Sequence, residues 1–422
     1  MNSCPGCGGK RQINFMAGNT DFQPGRPIGL EEPADNPPGL ATKGKKATYF
    51  ALKDRIIMGM GAATRGRGNA DRKKFLINIR EIPLLHDFWG KNFKRYLNSE
   101  ALRRTLRAAL SHPQGELITS LSELRGGPFP PDGLHQVNVG LFQEGDFQYV
   151  FKATVRTYDG AETHLAMIVA KDTGHLSQLA KSEHGNLKYL YQRRPEYLVR
   201  PLSGGGLPVS PQQGGLTRPV YYYFTCWLSR FHELGVNRQM NFYINEIPYH
   251  HFDRQTSDFI KVQILKILFS CYDPVSQRAI EPAKIGAGDF VITRPEAGKP
   301  IRLRLIACRR ISAKVTLEKC LSLYLGYHGD WGDKIFTYIP SNPILLTQAI
   351  NDGLIVPNHL PLEDVLKALT RYRDKLTREK EWSDSWSPLS VIRQLLKPNA
   401  FPARMKKTQP KGHGKKTEDL ED

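Results

Sequence analysis

Cysteine is scarce in this chain, six residues among 422. So few cannot staple a fold of this length, which excludes a disulfide scaffold. Four of them, Cys226, Cys271, Cys308 and Cys320, sit in apolar stretches, as thiols do in a reducing compartment, and a cytoplasmic location is expected. Long apolar runs are missing as well. No stretch approaches the ~18–20 residues that a bilayer-crossing helix needs, so no membrane span is expected. The opening MNSCPGCGGKRQ lacks the apolar centre of a signal peptide. Acidic residues are the third shortage: 41 Asp and Glu face 60 Lys and Arg, a net charge of +19. That excess calls for an acidic partner, protein or nucleic acid.

What is present points to a folded chain. Hydrophobic residues make up 40%, with 19 Phe and 17 Tyr, which excludes a mostly disordered polymer. The length allows two or three domains and a well-buried core. The charge is unevenly placed. Residues 41–110 hold 17 Lys and Arg against 5 Asp and Glu, a net of +12, whereas the 312 residues that follow carry +8. This basic block interleaves Arg65, Arg67, Arg72, Lys73, Lys74, Arg103, Arg104 and Arg107 with Phe75, Phe88, Trp89, Phe93 and Tyr96. Phosphate backbones are attracted by such cations and bases stack on such rings, so these arginines and lysines are the candidate contacts to a nucleic acid or another acidic partner. The plain alternative is a solvated basic face over an aromatic core.

Residues 1–45 are rich in Gly and Pro without sustained periodicity and read as an irregular arm. A mixed, partly helical basic region follows over 46–132. Within it NSEALRRTLRAALSH predicts a helix capped at Asn98 or Ser99, with Leu102, Leu106 and Leu110 on one face. RGGPFPPDG, at 125–133, is the expected boundary to the next domain. Beyond it, VNVGLFQEGDFQYVFKATVRTYDG alternates with period two and turns at Asp159–Gly160 into HLAMIVAK, a hairpin. SGGGLPVSPQQGGLTRP reads as a loop ahead of the strand VYYYFTCWL, and SDFIKVQILKILFSCY as a helix buried on most sides. GDFVI and IRLRLIA form a short strand pair, and helices are expected from there to about Leu396. The polar tail 401–422 reads as disordered.

This order of elements, with particular residues in it, resembles the protein-kinase-like superfamily over roughly 136–395. LFQEGDFQYVFKA is similar to a kinase glycine-rich loop through Gly145, Phe147, Val150, Lys152 and Ala153, although Gln143 and Gln148 stand where the other two glycines belong. IVAKDTG resembles the third kinase strand, which implies that Lys171 meets nucleotide phosphates and that Glu183, twelve residues on, pairs with it. VYYYFTCWL resembles the fifth strand and the linker, placing an adenine beside Cys226, Trp227 and Leu228. The resemblance implies an α+β fold with two lobes: an antiparallel-sheet N-lobe over 133–230 and a mainly helical C-lobe over 231–400. ATP and Mg²⁺ are the cofactors it implies.

At the catalytic end the residues depart from the pattern. AKIGAGDFVI puts Asp289 at a Mg²⁺-binding position, where its carboxylate is a suitable ligand. The same register puts Lys284 where the base aspartate belongs, and an ammonium accepts no proton at neutral pH unless its pKa falls several units. Ala307 replaces the second metal-binding aspartate. Glu281 is the nearby carboxylate that could substitute. The reading that follows is a kinase-like protein with a degraded catalytic centre, a pseudokinase serving as a nucleotide-responsive or structural interaction module. A divergent ATP-dependent phosphotransferase using Lys171, Glu183 and Asp289 is one alternative, and a nucleic-acid-binding protein acting through 41–110 is another. YHGDWGDKIF contains His328-Gly329-Asp330, which resembles the triplet opening the catalytic loop of aminoglycoside-phosphotransferase-like kinases and would make His328, Asp330 or Asp333 catalytic, although Trp331, Gly332 and Asp333 follow where an Asn belongs; the plain reading is a loop at a helix end. Cys4 and Cys7 are candidate zinc ligands, but a structural site needs four, and with no second CxxC or nearby His pair zinc is not expected.

Overall fold

The computed structural model describes residues 75–82, 99–112, 114–172, 174–209, 218–237, 242–245, 250–296, 300–325, 329–331, 334–336, 340, 342–379 and 388–396. All lie within one compact unit, Arg65–Asp422. The fold is mixed α+β, built on a six-stranded sheet, a five-stranded sheet and several helices.

The first sheet runs in the order β1-β2-β3-β4-β6-β5. Its strands are β1 (Leu76–Ile79), β2 (Leu134–Glu144), β3 (Gln148–Thr157), β4 (Glu162–Ala170), β5 (Pro201–Val209) and β6 (Arg218–Cys226). All pairings are antiparallel except that of β1 with β2. The period-two pattern sets which side chains go inward: Val137, Val139 and Leu141 on β2, and Tyr149, Phe151, Ala153 and Val155 on β3. The central strand β4 is apolar from Leu165 to Ala170 because both its faces are covered. Gly160, at φ +85°, completes the β3–β4 turn, where a side chain would be strained.

Helix α1 (Ser99–Ser111) buries Leu102, Leu106 and Leu110 against β1 and β5, each worth roughly 1.5–3 kcal/mol of burial. Helix α2 (Glu116–Arg125) packs on β5, and its Glu116 accepts a hydrogen bond from the Tyr222 hydroxyl on β6. Helix α3 (His175–Arg193) lies over β4, β5 and β6.

The glycine-rich run at 203–206 belongs to a strand, not to the loop expected there. A Cβ on Gly204 would come within 2.6 Å of Tyr223 Cβ, 2.8 Å of the Tyr222 carbonyl and 2.9 Å of the His184 ring. Glycine stands there because α3 and β6 leave no room, not because the chain must turn.

The second sheet runs β12-β11-β7-β8-β9, formed by β7 (Phe231–Val236), β8 (Phe242–Ile244), β9 (His250–His251), β11 (Phe290–Thr293) and β12 (Leu303–Leu305). A small pair, β10 (Ala279–Ile280) with β13 (Ile311–Ser312), flanks it. Helix α4 (Arg254–Ser270) is capped by Asp253, which accepts from the Thr256 amide at 2.7 Å, and it is buried along most of its length. Around it lie α5 (Leu317–Leu325) and α6 (Pro343–Ile350), the latter continuing through a π turn, Asn351–Ile355. Helices α7 (Leu362–Glu379) and α8 (Pro388–Leu395) complete the described chain. Between α5 and α6, where the plain reading was a loop at a helix end, β14 (Gly329–Trp331) pairs antiparallel with β15 (Lys334–Phe336). No helix among the described residues is long and apolar enough to cross a membrane.

Candidate functional site

The β2–β3 hairpin ends in Gly145, Asp146 and Phe147, a turn closed by the Gly145 amide donating to the Gln148 carbonyl at 3.0 Å. A second backbone bond, Lys171 amide to Phe147 carbonyl at 3.2 Å, ties the tip to the end of β4. Gly145 has no positive φ, and a Cβ there would meet only the Gln148 carbonyl, at 3.4 Å. The two glutamines that replace glycines are the residues that matter here. Gln143 Nε2 donates to Glu233 Oε2 at 2.9 Å, reaching from the first sheet to β7 of the second. Gln148 Nε2 donates to Glu183 Oε1 at 3.0 Å. Both glutamine amides are therefore engaged by carboxylates of the chain itself.

Lys171 is buried at the end of β4, but its partner is not the expected Glu183. Its Nζ lies 2.9 Å from Glu144 Oε1, on the hairpin tip, and 5.3 Å above the Tyr149 ring. Both charged side chains are 8% exposed, so the two ions neutralise each other away from water. Among the described residues no ion pair joins Lys171 to Glu183. The reason is register: Glu144 pairs directly with Tyr149 across the hairpin, which sets its carboxylate over the strand end that carries Lys171.

Glu183, on α3, is 2% exposed. Its Oε1 accepts from the Tyr223 hydroxyl at 2.6 Å as well as from Gln148. Burial pushes its carboxyl above the ordinary range, opposed by the Tyr223 hydrogen bond and by the Arg309 charge. The adjacent His184 stacks on the Tyr223 ring with centroids 4.7 Å apart. Its Nε2 lies 2.6 Å from the Leu202 carbonyl, which can only accept, so this nitrogen carries the proton and Nδ1 accepts from the Tyr221 hydroxyl at 2.8 Å. Burial lowers the imidazole from 6.5 to about 4, keeping it neutral.

Asp289 is held by the short turn before β11, where its Oδ2 accepts from the Gly286 amide at 2.7 Å. Arg309 grips both of its oxygens: Nη1 to Oδ2 and Nη2 to Oδ1, each at 2.7 Å. Three donors, two of them from a guanidinium, converge on its two oxygens and favour the carboxylate form. Burial raises the Asp289 pKa and the Arg309 charge opposes that; burial lowers the Arg309 pKa and Asp289 more than compensates, so the guanidinium stays above its ordinary value. Arg309 also donates to the Lys284 carbonyl at 3.0 Å, and its Nε lies 4.0 Å from Glu183 Oε2. Its carbon sits 5.3 Å over the Phe147 ring. One guanidinium therefore joins α3, the Asp289 turn and the hairpin tip. Sequence reasoning stopped at Ala307, which is buried; the residue that acts is two positions further on. The only signal for it was a cation close behind the missing aspartate.

The other candidates are placed as follows. The Cys226 amide donates to the Arg200 carbonyl at 3.0 Å and the Trp227 amide to the His164 carbonyl at 3.3 Å, so both amides are used within the chain. Trp227 is packed edge-on to Phe142 at 4.8 Å with Lys152 over its ring, and Leu228 accepts from the Phe231 amide. Burial raises the Cys226 thiol. Glu281 is turned onto β13, accepting from the Ser312 hydroxyl at 2.6 Å with Arg310 at 3.8 Å. Lys284 is exposed, while Arg103, Arg104 and Arg107 lie on the outer face of α1. Cys4, Cys7, Arg65, Arg67, Arg72, Lys73, Lys74, His328 and Asp333 lie outside the described residues, and only the backbone of Asp330 is described.

As arranged, these groups do not fit Mg-ATP. A metal at Asp289 would have to displace a two-pronged guanidinium, and among the described residues no three His, Cys, Asp or Glu are grouped to hold an ion. Comparison with known proteins adds no constraint: no family model matches the chain, and no curated protein matches it.

Proposed function

We propose that this chain is a protein-kinase-like pseudokinase, two-lobed over 133–230 and 231–400, whose cleft is held by its own side chains and which works as a structural interaction module. The observation that carries this reading is the Arg309 guanidinium, bound to Asp289 through two hydrogen bonds and set beside Glu183. In a phosphotransferase those two carboxylates would serve a metal and a lysine. Here a permanent cation replaces both, while Lys171 is neutralised by Glu144. Lys171 and Arg309 are each already engaged by carboxylates of the chain itself, which supports a site that does not depend on a polyphosphate. Lys284, standing at the base position, supports the same conclusion.

The test is phosphate transfer. Purified full-length chain incubated with radiolabelled ATP and Mg²⁺ is expected to label neither itself nor a generic acceptor protein, and Asp289→Ala is expected to be indistinguishable from it. Labelling by the wild type that vanishes in Asp289→Ala overturns the proposal and establishes the rival reading, a divergent phosphotransferase.

A further inference from the structure

Among the described residues Lys171, Asp289 and Arg309 are buried in ion pairs, whereas one helix face carries charge that is not. Along α1 the buried side is Leu102, Thr105, Leu106, Ala109 and Leu110. The opposite side exposes Arg103, Arg104, Arg107, Ala108, Ser111 and His112. Arg103 and Arg107 have no acidic partner among the described residues. Arg104 has Glu100 at 3.8 Å, with both side chains more than two-thirds exposed at 72% and 78%, a pair held weakly in water. Positions 103 and 107 are one turn apart and 104 lies beside them, so the three guanidiniums form a ridge along the helix. The helix itself is fixed: α1 is packed on β1 and β5, and the Ser99 hydroxyl donates to the Ile82 carbonyl at 2.7 Å. The ridge is thus presented by a rigid element.

The composition of the ridge selects its partner. Protein interfaces are anchored by buried aromatic or large aliphatic side chains, and among the described residues this face exposes none; Ala108 is the largest apolar group described on it. Contacts to a phosphate backbone need no such anchor. They need cations, and arginine's planar fork binds phosphate oxygens two at a time. We infer that the outer face of α1 binds the phosphate backbone of a nucleic acid, without reading sequence, through Arg103, Arg104 and Arg107. The site is independent of the cleft and of whether the cleft turns over ATP.

Fluorescence anisotropy with the full-length chain tests this, using labelled oligouridylate and a labelled duplex DNA as separate probes at several salt concentrations. The expected result is binding of at least one probe, with the triple substitution Arg103→Gln, Arg104→Gln, Arg107→Gln weakening it ~10-fold or more. It also lowers the slope of log affinity against log salt by about 2–3, the number of phosphate contacts removed. The stronger probe identifies single strand or duplex. Three matched exposed substitutions on α7 and α8, Arg371→Gln, Lys375→Gln and Arg393→Gln, remove the same net charge and are expected to leave affinity within ~2-fold. Failure of the wild type to bind either probe, an equal loss in the control variant, or a triple variant that binds like wild type overturns the assignment. Displacement by polyglutamate as readily as by unlabelled nucleic acid overturns it too, in favour of an acidic protein.

Discussion

The buried cluster around Arg309 and the outer face of α1 use the same residue type in opposite ways. Arg309 is mostly buried, makes two-pronged contact with Asp289, and is reached by α3 and by the hairpin tip. Arg103 and Arg107 stand in water with no acidic partner among the described residues. Removing a charge from the first setting strands two buried carboxylates; removing one from the second strands nothing. Arg309 therefore belongs to the stability of the fold, whereas the α1 arginines are proposed to serve what the fold meets.

The largest effect separating the two settings is expected from Arg309→Met. It leaves Asp289 and Glu183 buried without a cation and costs about 3 kcal/mol, taken at the low end because Arg309 is 23% exposed. Chemical denaturation reads it directly; a loss under 1 kcal/mol would place Arg309 with the surface arginines. Acid comes next. The His184 pKa is depressed in the fold, so its contribution is present above 6.5 and disappears as pH falls toward about 4. Roughly 2 kcal/mol should be gone by pH 5, and His184→Gln should flatten that part of the profile. Gly204→Ala, which drives a Cβ into Tyr223 and His184 behind Glu183, is expected to cost about 1–3 kcal/mol. Glu183→Gln is smaller. The raised carboxyl of Glu183 contributes stability that is full below its unfolded pKa near 4.5 and is lost as pH rises through the folded value. The variant's deficit, within about 1 kcal/mol, should therefore shrink from pH 4 to pH 8 in denaturant titrations. The triple α1 variant should change stability least, by under ~0.5 kcal/mol.

Much of the framework is legible in the residues themselves. Alternation in VNVGLFQEGDFQYVFKATVRT marks β2 and β3, Asp159–Gly160 marks the turn into β4, and the leucine spacing marks α1, because each signal is local. Three features escape for physical reasons. SGGGLP has the composition of a loop, and only the crowding of β5 by Tyr223, His184 and Glu116 turns its glycines into strand residues. The partner of Lys171 depends on hairpin register: Glu144 is 27 positions away in sequence yet at contact, whereas Glu183 is held by Gln148 and Tyr223. Arg309 reaches back 20 residues to Asp289, a contact set by the pairing of β11 with β12 that no local pattern encodes.

The central proposal is that the carboxylates of the Arg309 cluster are satisfied without nucleotide, and isothermal titration of the full-length chain with ATP in millimolar Mg²⁺ addresses it most directly. The account predicts no saturable heat, together with a thermal midpoint that ATP leaves unchanged. Saturable binding with a rise in the midpoint, as for a ligand present at ~100 times its Kd, which stabilises the native state by about 2.7 kcal/mol, would contradict it.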